Sequence, residues 1–323
     1  MGHVAGRVGV AAALLLAASY LVQADDSLAA TVRPAQAAGL PIATIQTAPI
    51  LTVAAGSGDR EYFISRHQIV PLGAPTIRLP ILMYHYIRKP PSIRADPLGF
   101  KLSVSVADFQ TQMDWLHGHG YHPVNFNHVR DYFNGVRPLP ARPIVMTFDD
   151  GYQDLYTTAF PILQAHGFTA VAYIVSGFVD QPLYVTHAQV LEMDHAGIEI
   201  ASHTVHHSDL ARMGFGSVVS EVSQSKRQLE QLVGHSVLDF AYPSGQFNMQ
   251  TVEAVRQAGY STAVTTDRES TTHSVADRFT WGRVRVGGGE SLLDFATKLG
   301  PSMPFVTISN VEVEPNTYPL QPG

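Results

Sequence analysis

The sequence of 323 residues contains no cysteine. Disulfide bonds, thiolate nucleophiles and metal sites with cysteine ligands are therefore excluded. Positive charge is also scarce, because 21 lysines and arginines stand against 27 aspartates and glutamates and leave a formal net charge of −6. Such a chain has no basic field that would neutralise nucleic-acid phosphates, so we expect no nucleic-acid partner. Any metal ion must be bound through nitrogen and oxygen atoms, which 15 histidines and the carboxylates supply.

The one long apolar run lies near the N-terminus, where residues 8–22 follow the single basic residue Arg7. This run is shorter than the ~20 residues of a membrane span, and small residues before position 25 complete the layout of a signal peptide. We expect residues 1–24 to be a signal peptide or an uncleaved N-terminal anchor, with an ordinary buried helix as the remaining alternative. The protein is then exported, and is either secreted or associated with the cell envelope through a membrane tether.

Beyond this segment the character of the chain changes twice. Residues 25–76 are rich in alanine, threonine, proline and glycine without sustained periodicity, which indicates a leader or linker. We expect a catalytic domain at 77–305, where short β-rich runs alternate with helical patterns, and a C-terminal tail at 306–323. The predicted strands are 80–84, 121–125, 143–148, 169–174, 197–201, 238–241, 260–264 and 279–286.

Helical patterns separate these strands. Three begin behind the capping residues Ser105, Thr186 and Ser291, and two others cover 218–233 and 251–258 and end at glycines. This alternation predicts a largely parallel sheet, and so many units over about 225 residues favour an α/β fold of the (β/α) barrel type, in a single catalytic domain. A doubly wound open sheet is the alternative, but no G-x-G-x-x-G follows a predicted strand.

The first chemical motif is an acidic pair behind an apolar strand, in Thr147-Phe-Asp-Asp-Gly-Tyr152. Asp149 and Asp150 are like charges at the end of a buried strand, so they require a cation or a shared proton. A metal ion would supply the positive charge. The alternative is a simple turn, since Asp-Asp-Gly is common turn chemistry without any function.

A second motif, His203-Thr-Val-His-His207, follows another predicted strand. His203 and His207 would lie on one face of a helical turn, where two imidazoles can bind one metal ion, and the spacing from His203 to His206 is also tolerable. Two histidines, one carboxylate and an open position are typical of a hydrolytic metal site of the zinc type.

Further segments also end predicted strands. Phe240-Ala-Tyr-Pro-Ser-Gly245 follows one strand, His85 follows the first, and Arg283 and Arg285 share one face of the last. Barrel enzymes assemble their active sites at the carboxyl ends of strands, so we expect all of these segments to meet in one cleft.

Taken in this order, the three motifs resemble those of the polysaccharide deacetylase family, the NodB-homology proteins of carbohydrate esterase family 4. The resemblance covers about residues 79–300 of the chain. It implies a distorted (β/α) barrel that removes N- or O-acetyl groups from polysaccharides with one divalent metal ion, commonly Zn, with Co, Ni or Mn as alternatives. It also implies that Asp150, His203 and His207 bind the metal ion and that Asp149 is the general base.

The resemblance assigns the third motif to substrate and oxyanion binding, through Tyr242, Pro243, Ser244 and Gly245, with the backbone N–H of Ser244 as the oxyanion donor. Tyr242 and Trp281 are the expected stacking residues for sugar rings, because both would lie beside the site.

The third motif has Ala241 where many family members carry an arginine, and most resembles the Phe-Ala-Tyr-Pro-x-Gly branch, which includes poly-N-acetylglucosamine deacetylases. In that branch a late strand supplies the arginine, which matches Arg283, with Arg285 as the alternative. The general acid lies near the beginning of the domain, which points to His85. The alternative for His85 is a core histidine that closes the strand, and His273 is expected in a solvated loop.

Together the motifs predict an exported, metal-dependent hydrolase that deacetylates an N-acetylated polysaccharide of the N-acetylglucosamine type. The polysaccharide is the expected partner, and no protein partner is indicated. One alternative is a catalytically silent glycan-binding module on the same fold, which would have lost the base or a metal ligand. A second is a metal-dependent hydrolase of a small amide, against which the export signal argues.

Overall fold

The computed structural model of the protein describes residues 75–266 and 270–300. The expectations for residues 1–24, for nearly all of 25–76 and for the tail at 306–323 lie outside the described residues. Within those two described ranges, no helix combines the length and the apolar character that crossing a membrane requires.

The strands of the described ranges are β1 (Thr76–Arg78), β2 (Ile81–Tyr84), β3 (Tyr86–Ile87), β4 (Ser103–Val104), β5 (His122–Pro123), β6 (Pro143–Phe148), β7 (Val171–Ile174), β8 (Glu199–Ser202), β9 (Asp239–Ala241), β10 (Thr262–Val264), β11 (Thr272–Ser274) and β12 (Val284–Arg285). Most of them belong to one curled parallel sheet in the order β10-β9-β8-β7-β6-β2-β12, with β5 paired to β6. Two small additional pairs join β1 to β11 and β3 to β4.

Residues 279–286 link the two edges of this sheet. The N–H of Trp281 donates to the carbonyl of Ala263 in β10 at 3.0 Å, and Val284 pairs with Leu82 of β2. Since the segment passes from one edge to the other, only β12 is a regular strand, and the prediction of a strand over the whole of 279–286 is wrong.

The helices of the described ranges are α1 (Pro97–Leu102), α2 (Val106–Gly118), α3 (Phe126–Phe133), α4 (Phe160–Ala165), α5 (His187–His195), α6 (Phe215–Val233), α7 (Met249–Gln257) and α8 (Leu292–Lys298). A π-helical turn, Leu155–Ala159, leads into α4. The predicted caps are confirmed, because the side chains of Ser105, Thr186 and Ser291 each accept a hydrogen bond from the backbone N–H three residues on.

The helices α1, α3 and α4 were not predicted. Each has at most eight residues. Helices this short are marginal on their own and form because tertiary packing covers one face, a contribution that propensity and periodicity do not reveal.

The alternation of side chains along the strands divides the core into two layers. Ile81, Val145 and Tyr173 point to the inside of the curled sheet, where they belong to one buried cluster. Leu82 and Met146 point outward, where they pack with the helices in a second cluster. Helices on the outer face of a curled parallel sheet confirm the predicted α/β fold and its distorted (β/α) barrel character, in the form of a half-barrel within a single domain.

Candidate active site

The acidic pair lies at the carboxyl end of β6, whose residues are all buried. Asp149 continues the strand and donates its N–H to the carbonyl of Tyr84 at 3.0 Å. Asp150 then adopts a φ of 72°, in the left-handed region, and Gly151 follows at 75°. This reversal lets the two adjacent carboxylates reach different partners.

Asp149 forms a bidentate ion pair with Arg283. Its two oxygens accept hydrogen bonds from Nη1 and Nη2 at 2.6 and 2.8 Å, and both side chains are buried. Although burial alone would raise it, the guanidinium charge and its hydrogen bonds hold the pKa of Asp149 well below its usual range. Asp149 is therefore ionised at neutral pH.

Arg283 is itself fixed from three sides. Nη1 also donates to Thr147 Oγ1 at 3.0 Å, and Nε donates to the carbonyl of Thr265 at 3.4 Å. The sequence left Arg283 and Arg285 as alternatives, and the structure places the guanidinium of Arg283 on Asp149. Arg285 instead follows in β12, where its carbonyl accepts from Lys298 at 2.8 Å.

The predicted metal ligands converge at one point. Oδ1 of Asp150 lies 3.5 Å from Nε2 of His203 and 3.3 Å from Nε2 of His207. Among the described residues, these three side chains form the one group of histidines and carboxylates whose ligand atoms lie close enough to hold a metal ion, all within 4.8 Å of one another.

Two observations show that this donor set fits a divalent cation. Oδ1 of Asp150 is buried and has no hydrogen-bond partner in the structure. Nδ1 of His203 lies 2.8 Å from the carbonyl of Ala241, which can only accept, so the ring carries its proton there and directs the lone pair of Nε2 at Asp150. Burial, first of all, lowers the pKa of His203 to about 4, which keeps the ring neutral as a ligand must be.

The histidines meet without a helical turn, which corrects the expected local structure. The segment from His203 to His207 is a bend in which Thr204 has a φ of 67° and His207 a φ of 55°. The third histidine, His206, turns away and places Nδ1 2.6 Å from Oε1 of Glu221.

His85 lies at the carboxyl end of β2, next to β6. Its Nε2 is 3.8 Å from Oδ2 of Asp149, and only 12% of the side chain is exposed. Burial is the largest influence and lowers the pKa of His85 to about 4 despite the attraction of Asp149. The structure thus brings the three residues predicted as acid, base and orienting arginine into one cluster, with His85 neutral at pH 7.

The third motif forms a tight turn after β9. Ser244 is its exposed residue and has a φ of 53°. Gly245 has a φ of 70°, and a Cβ there would lie 2.0 Å from Oγ1 of Thr266 and 2.6 Å from its N. Both the backbone conformation and the close approach therefore require glycine at this position.

Three expectations are corrected by burial. Tyr242 is fully buried and donates its hydroxyl to the carbonyl of Phe279 at 3.1 Å. Trp281 is 1% exposed and its Nε1 donates to the carbonyl of Ser274 at 2.8 Å, so neither ring has a free face for a sugar. His273 is also buried, in β11 against Trp281, and does not lie in a solvated loop.

A stack of tyrosines beside Asp150 was missed by the sequence analysis. The ring centroids of Tyr86 and Tyr152 are 3.8 Å apart and those of Tyr152 and Tyr184 are 5.2 Å apart. The guanidinium of Arg88 lies 3.4 Å from the centroid of Tyr86. Burial and then the charge of Asp150 raise the pKa of Tyr152, whose hydroxyl stays protonated. The only sequence signal was that Tyr86 and Tyr152 each follow a predicted site residue closely.

Comparison with known proteins places this site in a family. Residues 137–263, which contain the acidic pair, His203, His207 and the third motif, match the family model of the polysaccharide deacetylases. Over 214 residues the chain is 30% identical to the putative polysaccharide deacetylase YxkH of Bacillus subtilis. The alignment covers 66% of this chain and 73% of that protein. The chain belongs to the polysaccharide deacetylase family.

This deacetylase is 28% identical over 241 residues to the poly-beta-1,6-N-acetyl-D-glucosamine N-deacetylase of Escherichia coli, an alignment of 61% of this chain and 36% of that protein. The chain therefore spans only about a third of that relative's length. Its fold resembles the solved Streptococcus pyogenes deacetylase PplD in complex with acetate, with a TM-score of 0.64 and 26% identity over 70% of this chain and 100% of that one. The family is metal-dependent, in agreement with the Asp-His-His donor set.

Proposed function

We propose that this deacetylase hydrolyses N-acetyl groups on an extracellular polysaccharide of the N-acetylglucosamine type. The observation that carries the proposal is one cluster of His85, Asp149 and Arg283 beside the donor set Asp150, His203 and His207. The name of the Escherichia coli relative supports an N-acetylglucosamine polymer as substrate. Export is proposed from the pattern of residues 1–24, which lie outside the described residues.

The cofactor is proposed to be one divalent ion, with Zn as the first choice and Co, Ni or Mn as alternatives. Asp150, His203 and His207 would hold it. When bound there, such an ion supplies Lewis acidity to the hydrolysis of an acyl group. The remaining steps of the reaction are carried out by side chains of the protein.

Asp149 is the proposed general base. Each of its oxygens accepts one hydrogen bond from Arg283, so each retains a lone pair that can accept the proton of a water molecule. Arg283 acts as a positioning residue, because its fork holds the carboxylate ionised and in one orientation.

His85 is the proposed general acid, which protonates the leaving nitrogen of the amide. The neutral ring receives the proton that Asp149 has taken from water, since Oδ2 of Asp149 lies 3.8 Å from Nε2 of His85, and the regenerated carboxylate then stabilises the imidazolium. The N–H of Ser244, on the exposed residue of the third-motif turn, is the proposed second donor to the developing oxyanion.

The decisive experiment is acetate release from chitooligosaccharides, poly-N-acetylglucosamine, peptidoglycan and acetylxylan, measured with the purified protein after metal loading. Release from the N-acetylglucosamine polymers and not from acetylxylan is the expected result. Release from acetylxylan alone would replace N- with O-deacetylation. Glycan binding without any acetate release would instead indicate a silent module, and release only from small amides would indicate a different hydrolase.

A further inference from the structure

We propose that Glu221 is a positioning residue of the metal site, and that it acts on the segment His203 to His207, here called the histidine loop. This inference rests on the proposed role of His203 and His207 as metal ligands. Glu221 is not part of any motif in the sequence analysis, and it lies 14 residues beyond His207, on α6.

The Glu221 carboxylate receives three hydrogen bonds from the loop. Oε2 accepts the N–H of Val205 at 3.1 Å and the N–H of His206 at 3.0 Å. Oε1 lies 2.6 Å from Nδ1 of His206. Glu221 is only 8% exposed, so the carboxyl group that makes these three contacts is buried. Hydrogen bonds to an ionised acceptor are roughly twice as strong as neutral ones.

The loop requires such support because its backbone is strained. Thr204 and His207 have φ values of 67° and 55°, a region in which a β-branched residue such as threonine is rarely found. A residue in such a conformation is strained and persists only where the surroundings determine it. This backbone conformation bends the chain, so the side chains of His203 and His207 both reach Asp150 although the segment is not helical.

A second clamp holds the opposite side of the loop through backbone alone. The N–H groups of Ser176 and Gly177 donate to the carbonyls of Thr204 and Val205, each at 3.0 Å. A Cβ on Gly177 would lie 2.5 Å from the carbonyl oxygen of Val205, so this approach requires glycine. The peptide groups at the centre of the loop are thus bonded on both sides, by this turn and by Glu221.

The two ligand histidines depend on Glu221 to different degrees. His203 is anchored to the sheet, because its N–H donates to the carbonyl of Ile174 at 2.9 Å and its ring meets the carbonyl of Ala241. His207 is anchored within the loop itself, where its N–H donates to Oγ1 of Thr204 at 2.9 Å. Loss of Glu221 should therefore displace His207 and leave His203 in place.

The test is the affinity of the full chain for Zn²⁺ and Co²⁺, measured by titration with a competing chromogenic chelator. Glu221→Ala should weaken binding by about 10- to 100-fold, the usual effect of removing a group that orients metal ligands. Glu221→Gln retains an acceptor oxygen of the same reach but no charge, and should weaken binding by a smaller factor of about three- to tenfold. The visible absorption of the Co²⁺-loaded variants should change as well, since it reports the geometry of the ligands.

Gln224→Ala is the matched control, because Gln224 is an exposed residue of the same helix whose side chain bonds only to Ser220 among the described hydrogen bonds. Its metal affinity should equal that of the wild type. In a His207→Ala background, Glu221→Ala should weaken binding little further, since the residue acts through His207.

Metal affinity of Glu221→Ala within twofold of the wild type would overturn the inference, as would full additivity with His207→Ala. If Glu221→Ala does not fold, as judged by circular dichroism, Glu221→Gln provides the same comparison, and unchanged affinity there would also overturn it. If the wild type and Glu221→Ala bind metal equally well and both release acetate, only this inference is refuted. The proposed function then remains intact.

Discussion

At the scale of residues, the site depends on two neighbouring aspartates with different partners. Asp149 accepts two hydrogen bonds from Arg283, whereas Asp150 keeps a buried oxygen without a hydrogen-bond partner beside two imidazole nitrogens. The charge of Asp149 is thus compensated by a guanidinium, whereas Asp150 belongs to the donor set that is proposed to hold a cation. The same substitution at the two positions should therefore have different effects.

Asp149→Asn should keep the metal ion and lose about 10²- to 10⁴-fold in turnover, the usual contribution of a general base. The amide has the shape of the carboxylate but cannot accept a proton at neutral pH. Metal content by elemental analysis and acetate release from an N-acetylglucosamine oligomer measure the two effects. Asp150→Asn is the control and should lose metal. Retention of metal in Asp150→Asn together with its loss in Asp149→Asn would exchange the two roles.

His85→Ala should retain the fold and the metal ion but lose turnover on an N-acetyl substrate. The loss should be smaller on an activated aryl acetate, whose leaving group departs without protonation. His122→Ala, which changes an exposed histidine, should alter neither rate. Equal losses on both substrates, or none on either, would remove His85 from the mechanism and leave the structural alternative of a histidine that closes β2.

At the scale of elements, pairs of histidine and aspartate join neighbouring helices. His166, at the end of α4, places Nε2 2.8 Å from Oδ1 of Asp114 on α2. Its partial burial opposes the charged form, but hydrogen bonds to the carbonyl of Ile162 and to Asp114 raise the pKa of His166. A raised pKa in the folded state means that the pair stabilises the protein below the ordinary histidine pKa and that this contribution fades as pH rises through the folded value.

Asp114→Asn should therefore lower the melting temperature at pH 5.5 and have less effect at pH 8.5. Asp114 is exposed, so solvent screens the pair and the loss at low pH should be about 0.5 kcal/mol. Thermal unfolding of wild type and variant at both pH values, at low ionic strength, measures the difference. Asp108→Asn, at an exposed position of the same helix without a histidine partner among the described ion pairs, is the control. A larger effect at pH 8.5 than at pH 5.5 would contradict the assigned sign.

At the scale of the whole molecule, an ionic network holds together the end of the sheet opposite the active site. Arg130 of α3 donates to both oxygens of Asp239, at 2.6 and 2.8 Å, and to Oε1 of Glu199 at 2.9 Å. Asp239 begins β9 and Glu199 begins β8, whereas His203 and His207 follow the carboxyl end of β8. Burial, and then the charge of Asp239, raise the pKa of Glu199 well above its usual value.

Arg130→Met should lower the free energy of unfolding by about 3–5 kcal/mol, because it removes the cation that pairs with the buried side chains of Asp239 and Glu199. Urea denaturation at pH 7.5 measures the loss. Arg137→Met is the matched control, since Arg137 pairs with Asp131 at 2.8 Å but both side chains are more than a third exposed, and its loss should stay within about 1 kcal/mol. Equal losses in the two variants would show that the network contributes no more than a surface ion pair.

Features that depend only on neighbouring residues can be read from the sequence. The caps at Ser105, Thr186 and Ser291 and the left-handed Gly234 that ends α6 are local devices, and all four were predicted. The order of strands and helices determined a parallel, curled sheet because a parallel pair needs a crossover connection. Since such a sheet aligns the carboxyl ends of its strands, the motifs were expected to meet in one cleft, and the structure brings them together.

The tertiary structure alone decided the details that depend on distant segments. It placed Arg283 rather than Arg285 on Asp149, although 134 residues separate the pair. It buried Tyr242 in the outer layer of the core and Trp281 in the inner layer, and a motif does not reveal which side chains will be covered. It also brought Glu221 to the histidine loop. Nothing in the sequence around a helical glutamate indicates which backbone N–H groups its carboxylate will bind. Local propensity acts within a few residues, whereas these contacts form only when the sheet curls and brings remote residues together.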